Sequence, residues 1–239
     1  MIRNIKVKNV EFKKGRPVTC VPIQGATLSD LLKECENIAS ADVIEWRIDF
    51  FEEDIFTAFP KVMKACGDKP VLLTDRTVSE GGKGKLDNYR DFLSRIITEL
   101  KPDMIDIEFD NPASAELIGL SKENNVTTVV SNHSFTSTMS EADLISKLNL
   151  MEEAGADIPK VAQMPQSFAD VLTVLSATAK VSENNFPIIT MSMGKLGKVT
   201  RLCGEVSGSA LTFGSAAKAS APGQVNIDLL NTILDEMSI

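Results

Sequence analysis

A lysine and the only histidine of the chain are the residues best suited to chemistry. Lys160 lies in the apolar run Ile158–Gln163 (IPKVAQ), and His133 ends the preceding run, Thr127–His133. Burial disfavours the ammonium form of a lysine, and the neutral amine is the form that attacks a ketone. A neighbouring imidazole can then act as general base. The pair predicts imine chemistry; a lysine that extends to solvent and a structural histidine are the alternatives.

Other charged residues lie in or directly after several apolar runs. Strands buried on both faces should be almost wholly apolar, and charges there are costly unless they are paired or belong to a site. Any single one could form a structural ion pair. Their recurrence in six predicted strands or strand-end loops favours one shared site. Besides the lysine and histidine, the set comprises Glu45, Arg47, Asp49, Arg76, Glu80, Asp106, Glu108 and Arg201.

Eight short β-branched runs alternate with segments of helical periodicity. Their starts lie about 22 to 33 residues apart, which allows a strand, a helix and two loops in each unit. The pattern predicts a (β/α)8 barrel that forms a single catalytic domain over residues 1–239. A doubly wound open sheet is the alternative, but no GxGxxG motif follows the first run. The predicted strands are Thr19–Ile23, Val43–Asp49, Val71–Arg76, Met104–Phe109, Thr127–His133, Ile158–Gln163, Ile188–Met193 and Ala210–Phe213.

Local signals predict where some elements begin. Thr27, Ser140 and Ser167 are each followed three residues later by aspartate, as at the start of a capped helix. Ahead of the first βα unit, the segment around Lys13–Gly15 predicts the turn of a small hairpin. We expect this hairpin to cover one end of the barrel.

The composition limits the class of protein. No apolar run reaches the ~18 residues of a membrane span, and the N-terminus lacks the apolar segment of a secretory signal. Four cysteines without a CxxC pair argue against zinc or a disulfide framework and favour a reducing cytoplasm. A net charge of −8 argues against nucleic acid. An anionic substrate would therefore depend on individual arginines.

Six stretches, in order along nearly the whole chain, carry a family resemblance. Together they resemble the type I 3-dehydroquinate dehydratases. They are Glu45–Asp49 (EWRID), Arg76–Gly82 (RTVSEGG), Ser131–His133 (SNH), Gly155–Ala162 (GADIPKVA), Thr190–Met193 (TMSM) and the segment from Arg201 to Gln224 that ends in ASAPGQ.

The resemblance implies syn elimination of water from 3-dehydroquinate to give 3-dehydroshikimate, a step of the shikimate pathway. In that chemistry Lys160 forms an imine with the ring ketone, which acidifies the adjacent C–H. His133 removes the proton and then protonates the departing hydroxyl. Glu80 orients the imidazole. The imine itself activates the substrate, so no metal or organic cofactor is implied.

The resemblance also assigns the residues that bind substrate. Arg201 would clamp the substrate carboxylate, since a guanidinium binds carboxylates with two parallel hydrogen bonds. Ser220 and Gln224 would close over the carboxylate from a loop of small residues after the last strand. Apolar residues that match the family pocket could equally be barrel core. The remaining binding residues are Glu45, Arg47 and Arg76 for the hydroxyls, and Met191, Met193 and Phe213 for the apolar wall.

Two other functions stay open at this point. A class I aldolase also uses a barrel lysine imine, but it cleaves C–C bonds; the arginines and the small-residue loop favour the dehydratase. The second is a catalytically inactive barrel that only binds its ligand, which the presence of Lys160, His133 and Glu80 disfavours. The resemblance further implies a homodimer.

Overall fold

The computed structural model describes residues 4–84, 86–184, 186–216 and 223–238. Helices and strands alternate from the third strand onward. The strands are β1 (Ile5–Val7), β2 (Val10–Phe12), β3 (Val18–Ile23), β4 (Val43–Arg47), β5 (Val71–Thr74), β6 (Met104–Glu108), β7 (Thr127–Ser134), β8 (Ile158–Gln163), β9 (Ile189–Ser192), β10 (Leu211–Ser215) and β11 (Val225–Asn226).

Nine α-helices lie among the described residues, and none is long and apolar enough to cross a membrane. Three short 3-10 turns cover Ile48–Phe50, Val78–Glu80 and Leu86–Asn88, and a π-helical turn covers Ile96–Leu100. The helices are α1 (Leu28–Cys35), α2 (Ile55–Cys66), α3 (Tyr89–Arg95), α4 (Ser114–Glu123), α5 (Glu141–Glu153), α6 (Phe168–Ser182), α7 (Lys198–Leu202), α8 (Gly204–Ser207) and α9 (Ile227–Glu236).

Strands β3 to β10 form a closed parallel barrel. Each strand from β3 to β8 pairs with the next in sequence, and β10 pairs with β3. The remaining gap between β9 and β10 is bridged at Ile188 and Ser209, and the Ala210 amide donates to the Ile188 carbonyl at 2.8 Å. The predicted (β/α)8 fold is confirmed, and the open-sheet alternative is wrong.

Alternation along each strand decides which side chains reach the barrel interior. In β7, Val129 belongs to the interior apolar cluster, so Ser131 and His133, two and four residues on, face the same side. In β8, Ile158 belongs to that cluster and Lys160 follows on the same side. The barrel interior is therefore apolar near the amino ends of the strands. The polar residues of adjacent strands meet near the carboxyl ends.

The N-terminal hairpin exists, but its turn lies elsewhere than predicted. Strands β1 and β2 are antiparallel and are joined at Lys8–Asn9, not at Lys13–Gly15. Lys8 adopts the left-handed conformation that the two-residue turn requires, with φ of 51°. This register puts four apolar residues on one face, against the apolar end of the barrel interior. They are Ile5, Val7, Val10 and Phe12.

Helix starts follow the predicted capping signals. The side chains of Thr27, Ser140 and Ser167 accept hydrogen bonds from the first turns of α1, α5 and α6. Strands β6 and β9 end one residue earlier than predicted, and β4 and β5 end two residues earlier. Strand β4 stops at Arg47, because a 3-10 turn that includes Asp49 follows it, and β5 stops at Thr74.

The last helix offers a test of the packing around the barrel. Leu230 of α9 is fully buried against the strands, whereas its neighbour Leu229 is 53% exposed. We expect Leu230→Ala to lower the free energy of unfolding by about 2–5 kcal/mol because it leaves a cavity. Leu229→Ala is the matched control, with an expected loss of ~0.5 kcal/mol. Urea unfolding of both variants would contradict this packing if the two losses were equal.

Candidate active site

A cavity of about 640 Å³, which includes its open mouth, lies at the carboxyl ends of the barrel strands. Active sites of such barrels form at this end. Every catalytic and binding residue that the resemblance assigns lines it except Ser220, which, with most of its small-residue loop, lies outside the described residues. Three charged residues predicted to share the site, Asp49, Asp106 and Glu108, do not line the cavity. The lining comprises Glu45, Arg47, Arg76, Glu80, Gly81, His133, Phe135, Lys160, Ala162, Met191, Met193, Arg201, Phe213 and Gln224.

His133 and Glu80 form a partly buried hydrogen-bonded pair. The Glu80 carboxylate oxygen Oε2 lies 2.8 Å from His133 Nδ1 and accepts the His133 backbone N–H at 3.1 Å. Burial, together with the charges of Arg76 and Lys160, holds the pKa of His133 well below its usual value. Burial also raises the pKa of Glu80 to about 8. The imidazole is therefore neutral near pH 7, as a general base must be.

Lys160 is buried and paired with a carboxylate. Its side chain is 4% exposed, so the alternative of a lysine that extends to solvent is wrong. Its Nζ donates to Asp106 Oδ2 at 3.1 Å and lies 4.9 Å from the centre of the Phe213 ring. Burial by itself would raise the pKa of Asp106, but the charges of Arg76 and Lys160 lower it. Asp106 is therefore an anion beside the amine.

Arg76 joins these two pairs. Its Nη1 donates at 3.0 Å to each of three acceptors, Glu80, Glu108 and the Ser131 hydroxyl. Its Nη2 lies 2.7 Å from Asp106 Oδ1. Burial disfavours a lone guanidinium, but the three carboxylates raise the pKa of Arg76. One cation thus links the histidine pair to the lysine pair.

Two other arginines lie on the cavity wall in different surroundings. Arg201, on the short helix α7, is buried, and its Nη1 lies 3.4 Å from the Met191 sulfur. Burial lowers its pKa to about 10, so it stays a cation at neutral pH. Arg47 donates from Nε and Nη2 to Asp49 at 2.8 and 2.7 Å. Nearby, Glu45 accepts a hydrogen bond from the Thr74 hydroxyl at 3.0 Å.

The sequence alone gave no role to some residues in and around the cavity. Asp106 and Glu108 were noted as charged strand residues, yet their partners were not predicted. Alternation from the apolar Met104 would have placed both on the interior face. Phe135 lines the cavity from the loop after β7, and no sequence pattern indicated it. Within the described ranges, no group of three or more histidine, cysteine or acidic residues could hold a metal ion.

The fold and cavity are those of a (β/α)8-barrel enzyme with a buried amine and an imidazole at its catalytic end. The family model for type I 3-dehydroquinase matches residues 19–239. The 3-dehydroquinate dehydratase of Listeria monocytogenes serotype 4b (strain F2365) is 42% identical, and the alignment covers 98% of each chain. The chain belongs to the type I 3-dehydroquinase family.

Solved structures of the family superpose closely on the barrel. A type I 3-dehydroquinate dehydratase from Clostridium difficile, crystallised with covalently modified comenic acid, has a TM-score of 0.92 at 39% identity. The alignment covers 99% of this chain and 98% of that one. The enzyme from Geobacillus kaustophilus HTA426 has a TM-score of 0.93 at 34% identity, with the same coverage.

A buried acid beside the site gives a test of its electrostatics. Burial and the charges of Asp49 and Glu108 raise the pKa of Asp75, which is 6% exposed, to about 7. The unfolded chain releases this proton near pH 4, so the contribution to stability falls as the pH rises from about 4 to 7. Asp75→Asn cannot ionise. We expect it to be more stable than wild type at pH 8, by up to about 4 kcal/mol.

Urea unfolding of Asp75→Asn and wild type at pH 4 and pH 8 measures this difference. The exposed Asp68→Asn is the control and should stay within about 0.5 kcal/mol of wild type. A stability gain of Asp75→Asn that is the same at both pH values would show that ionisation of Asp75 is not its source.

Proposed function

We propose that this chain is a 3-dehydroquinate dehydratase that works through a Schiff base on Lys160. Family membership supports the overall reaction. The observation that carries the mechanism is that a buried amine and a neutral imidazole line the same cavity, each held by its own carboxylate. Arg201 provides a buried cation on the same wall, as a substrate with a carboxylate requires.

In the first step, Lys160 attacks the ketone carbon of the substrate. The carbonyl oxygen leaves as water, and the nitrogen becomes part of a protonated imine. This imine carries the same positive charge as the ammonium group, so Asp106, 3.1 Å from the nitrogen, stabilises both states. Covalently modified comenic acid in the Clostridium difficile relative is consistent with covalent chemistry in this family.

In the second step, His133 removes a proton from the carbon next to the imine. The electron pair moves toward the imine nitrogen to form an enamine and then returns, expelling the hydroxyl from the following carbon. The same imidazole, now protonated, gives the proton to that hydroxyl. One group that serves as base and acid on one face accounts for a syn elimination. Hydrolysis of the imine then releases 3-dehydroshikimate and the free amine.

The remaining cavity residues bind the substrate in this proposal. Arg201 holds the carboxylate, with Gln224 and Ser220 closing over it. Glu45, Arg47 and Arg76 contact the hydroxyl groups of the ring. The apolar wall of Met191, Met193 and Phe213 excludes water from the imine. No metal or organic cofactor takes part, because the protonated imine withdraws the electrons.

We place the enzyme in the cytoplasm and assign it no nucleic-acid or membrane partner. All four cysteines are free thiols, as in proteins of reducing compartments. The net charge of −8 disfavours contact with phosphate backbones.

We further propose that two copies associate through a face on α6, α7 and α8. These helices pack against one another, and large apolar side chains on them are exposed. Adjacent exposed apolar groups mark interaction sites, and a twofold dimer is the commonest assembly of identical chains. This α6–α8 face is defined by the exposed residues Phe168 and Leu172 on α6, Leu196 in the turn before α7, Val199 on α7 and Val206 on α8.

The dehydratase assignment is tested by an absorbance assay for the conjugated enone of the product. Wild type should form the enone from 3-dehydroquinate, while C–C cleavage products would indicate an aldolase and no reaction a binding protein. Borohydride added during turnover should attach ligand mass to Lys160 and abolish activity. Labelling of another lysine, or full activity in Lys160→Ala, would contradict the imine assignment.

His133→Ala separates imine formation from elimination. Because His133 acts after the imine forms, this variant should still be labelled on Lys160 by borohydride. Its kcat should fall by roughly 10²–10⁴-fold, as for a lost general base. Near-normal turnover would mean that the histidine is structural.

The dimer is tested by sedimentation. Wild type should sediment at about twice the chain mass of 25.9 kDa. Leu172→Glu places a charge on the α6–α8 face and should sediment as a monomer. Leu150→Glu, at an exposed leucine on α5, is the control and should stay dimeric. A monomeric wild type, or two dimeric variants, would reject this face as the interface.

A further inference from the structure

Glu108 is a buried carboxylate to which the proposed mechanism gives no role. It is 3% exposed and lies on the interior side of β6, two residues after Asp106. It is not part of the cavity lining, so it acts on substrate only through other groups. Its backbone N–H donates to the Tyr89 hydroxyl at 2.9 Å, which ties the end of β6 to helix α3.

Both oxygens of Glu108 hold the loop that carries the histidine's partner. Oε1 accepts the Thr77 backbone N–H at 2.8 Å, and Oε2 accepts the Thr77 hydroxyl at 2.6 Å. The 3-10 turn Val78–Glu80 begins at the next residue. Oε1 also accepts Arg76 Nη1 at 3.0 Å, the nitrogen that donates to Glu80 at the same distance. Glu108 thus fixes both the start of the loop and the cation that orients Glu80.

With every acid ionised, the charges in this cluster do not balance: two cations, Arg76 and Lys160, face three carboxylates, Glu80, Asp106 and Glu108. An excess negative charge in a buried cluster strengthens the binding of a proton within it. The groups best placed to hold that proton are Glu80 and His133, which share a hydrogen bond.

Other charges near the cluster leave this imbalance in place. Arg47 faces His133 but is paired with Asp49. Asp75 faces Glu108 and Arg76, and its burial keeps it largely protonated below pH 7. The charge of Glu108 therefore acts directly on proton binding by the Glu80–His133 pair.

We propose that Glu108 is a positioning residue: it fixes the loop that carries Glu80, and its charge strengthens His133 as a base. The inference rests on the proposed dehydratase activity. Glu108 and Glu80 accept from the same nitrogen of Arg76, so the two carboxylates are close enough to interact strongly. Removing one charge should weaken proton binding by the Glu80–His133 pair.

Glu108→Gln keeps the shape of the side chain and removes its charge. We expect kcat to fall by about 10- to 100-fold, as when catalytic groups are misplaced, with KM within about twofold of wild type. The pH dependence of kcat reports groups in the enzyme–substrate complex, after Lys160 has become an imine. Its acidic limb should move to lower pH, by about one unit, because the pair takes up its proton less readily.

Two variants separate the charge from the loop contacts. Thr77→Val removes the hydroxyl that donates to Glu108 but leaves the carboxylate, so kcat should fall while the acidic limb stays in place. Glu108→Asp keeps the charge and shortens the side chain, and should likewise lower kcat without moving the limb. If Glu108→Gln does not fold, these two variants still test the contacts: full kcat in both would overturn that half of the proposal.

Circular dichroism and borohydride labelling of Lys160 report whether Glu108→Gln folds with an intact cavity. Unchanged kcat in this variant would overturn the proposal. A lower kcat with an unmoved acidic limb would overturn the role of the charge. If the proposed dehydratase function were wrong, wild type itself would form no enone. That outcome is distinct from a failure of the proposal for Glu108.

Discussion

The arrangement of the site depends on one buried guanidinium. Arg76, in the loop that follows β5, contacts a carboxylate from the same loop and two from β6, and it also donates to a hydroxyl on β7. Breaking one partner out of a buried ion pair leaves an uncompensated charge, which costs roughly 3–5 kcal/mol. The three carboxylates therefore depend on Arg76 as their shared cation. This shared contact holds Glu80 next to His133 and Asp106 next to Lys160.

The barrel itself brings these polar side chains together. Parallel pairing sets Glu108 beside Ser131 and Ser131 beside Lys160, in three successive strands. Because alternate residues of a strand face the same side, one register brings these polar groups to the interior together. Below them the interior is apolar and closed by the hairpin β1–β2. The polar layer thus lies between an apolar core and an open cavity, where charges are strongly coupled.

Much of this organisation is predictable from sequence, and the limits have physical causes. Charged residues in apolar strands predicted the site because a buried charge is costly unless it is paired or belongs to a site. Which charges pair could not be predicted, since pairing depends on register: Lys160 was expected among apolar groups, yet its nitrogen contacts Asp106. The hairpin turn was misplaced because glycine and charged residues at Lys13–Gly15 resemble a turn. The turn lies at Lys8–Asn9, where the two strands can present one apolar face.

The two sides of the cavity differ in the sign of the charge that they carry. Around Arg76, carboxylates outnumber cations, which favours retention of a proton near His133. On the other side, burial of Arg201 lowers its pKa without discharging it at neutral pH, which suits an anionic ligand. A net charge of −8 gives no general attraction for such a ligand, so recognition has to be local.

The pairing of Lys160 with Asp106 is favourable over the whole proposed cycle. The ammonium, the protonated imine and the ammonium regenerated at the end all place one positive charge at the same nitrogen. A preorganised anion that matches this constant charge needs no rearrangement as the reaction proceeds. Each charged intermediate of the cycle is therefore stabilised by the same carboxylate.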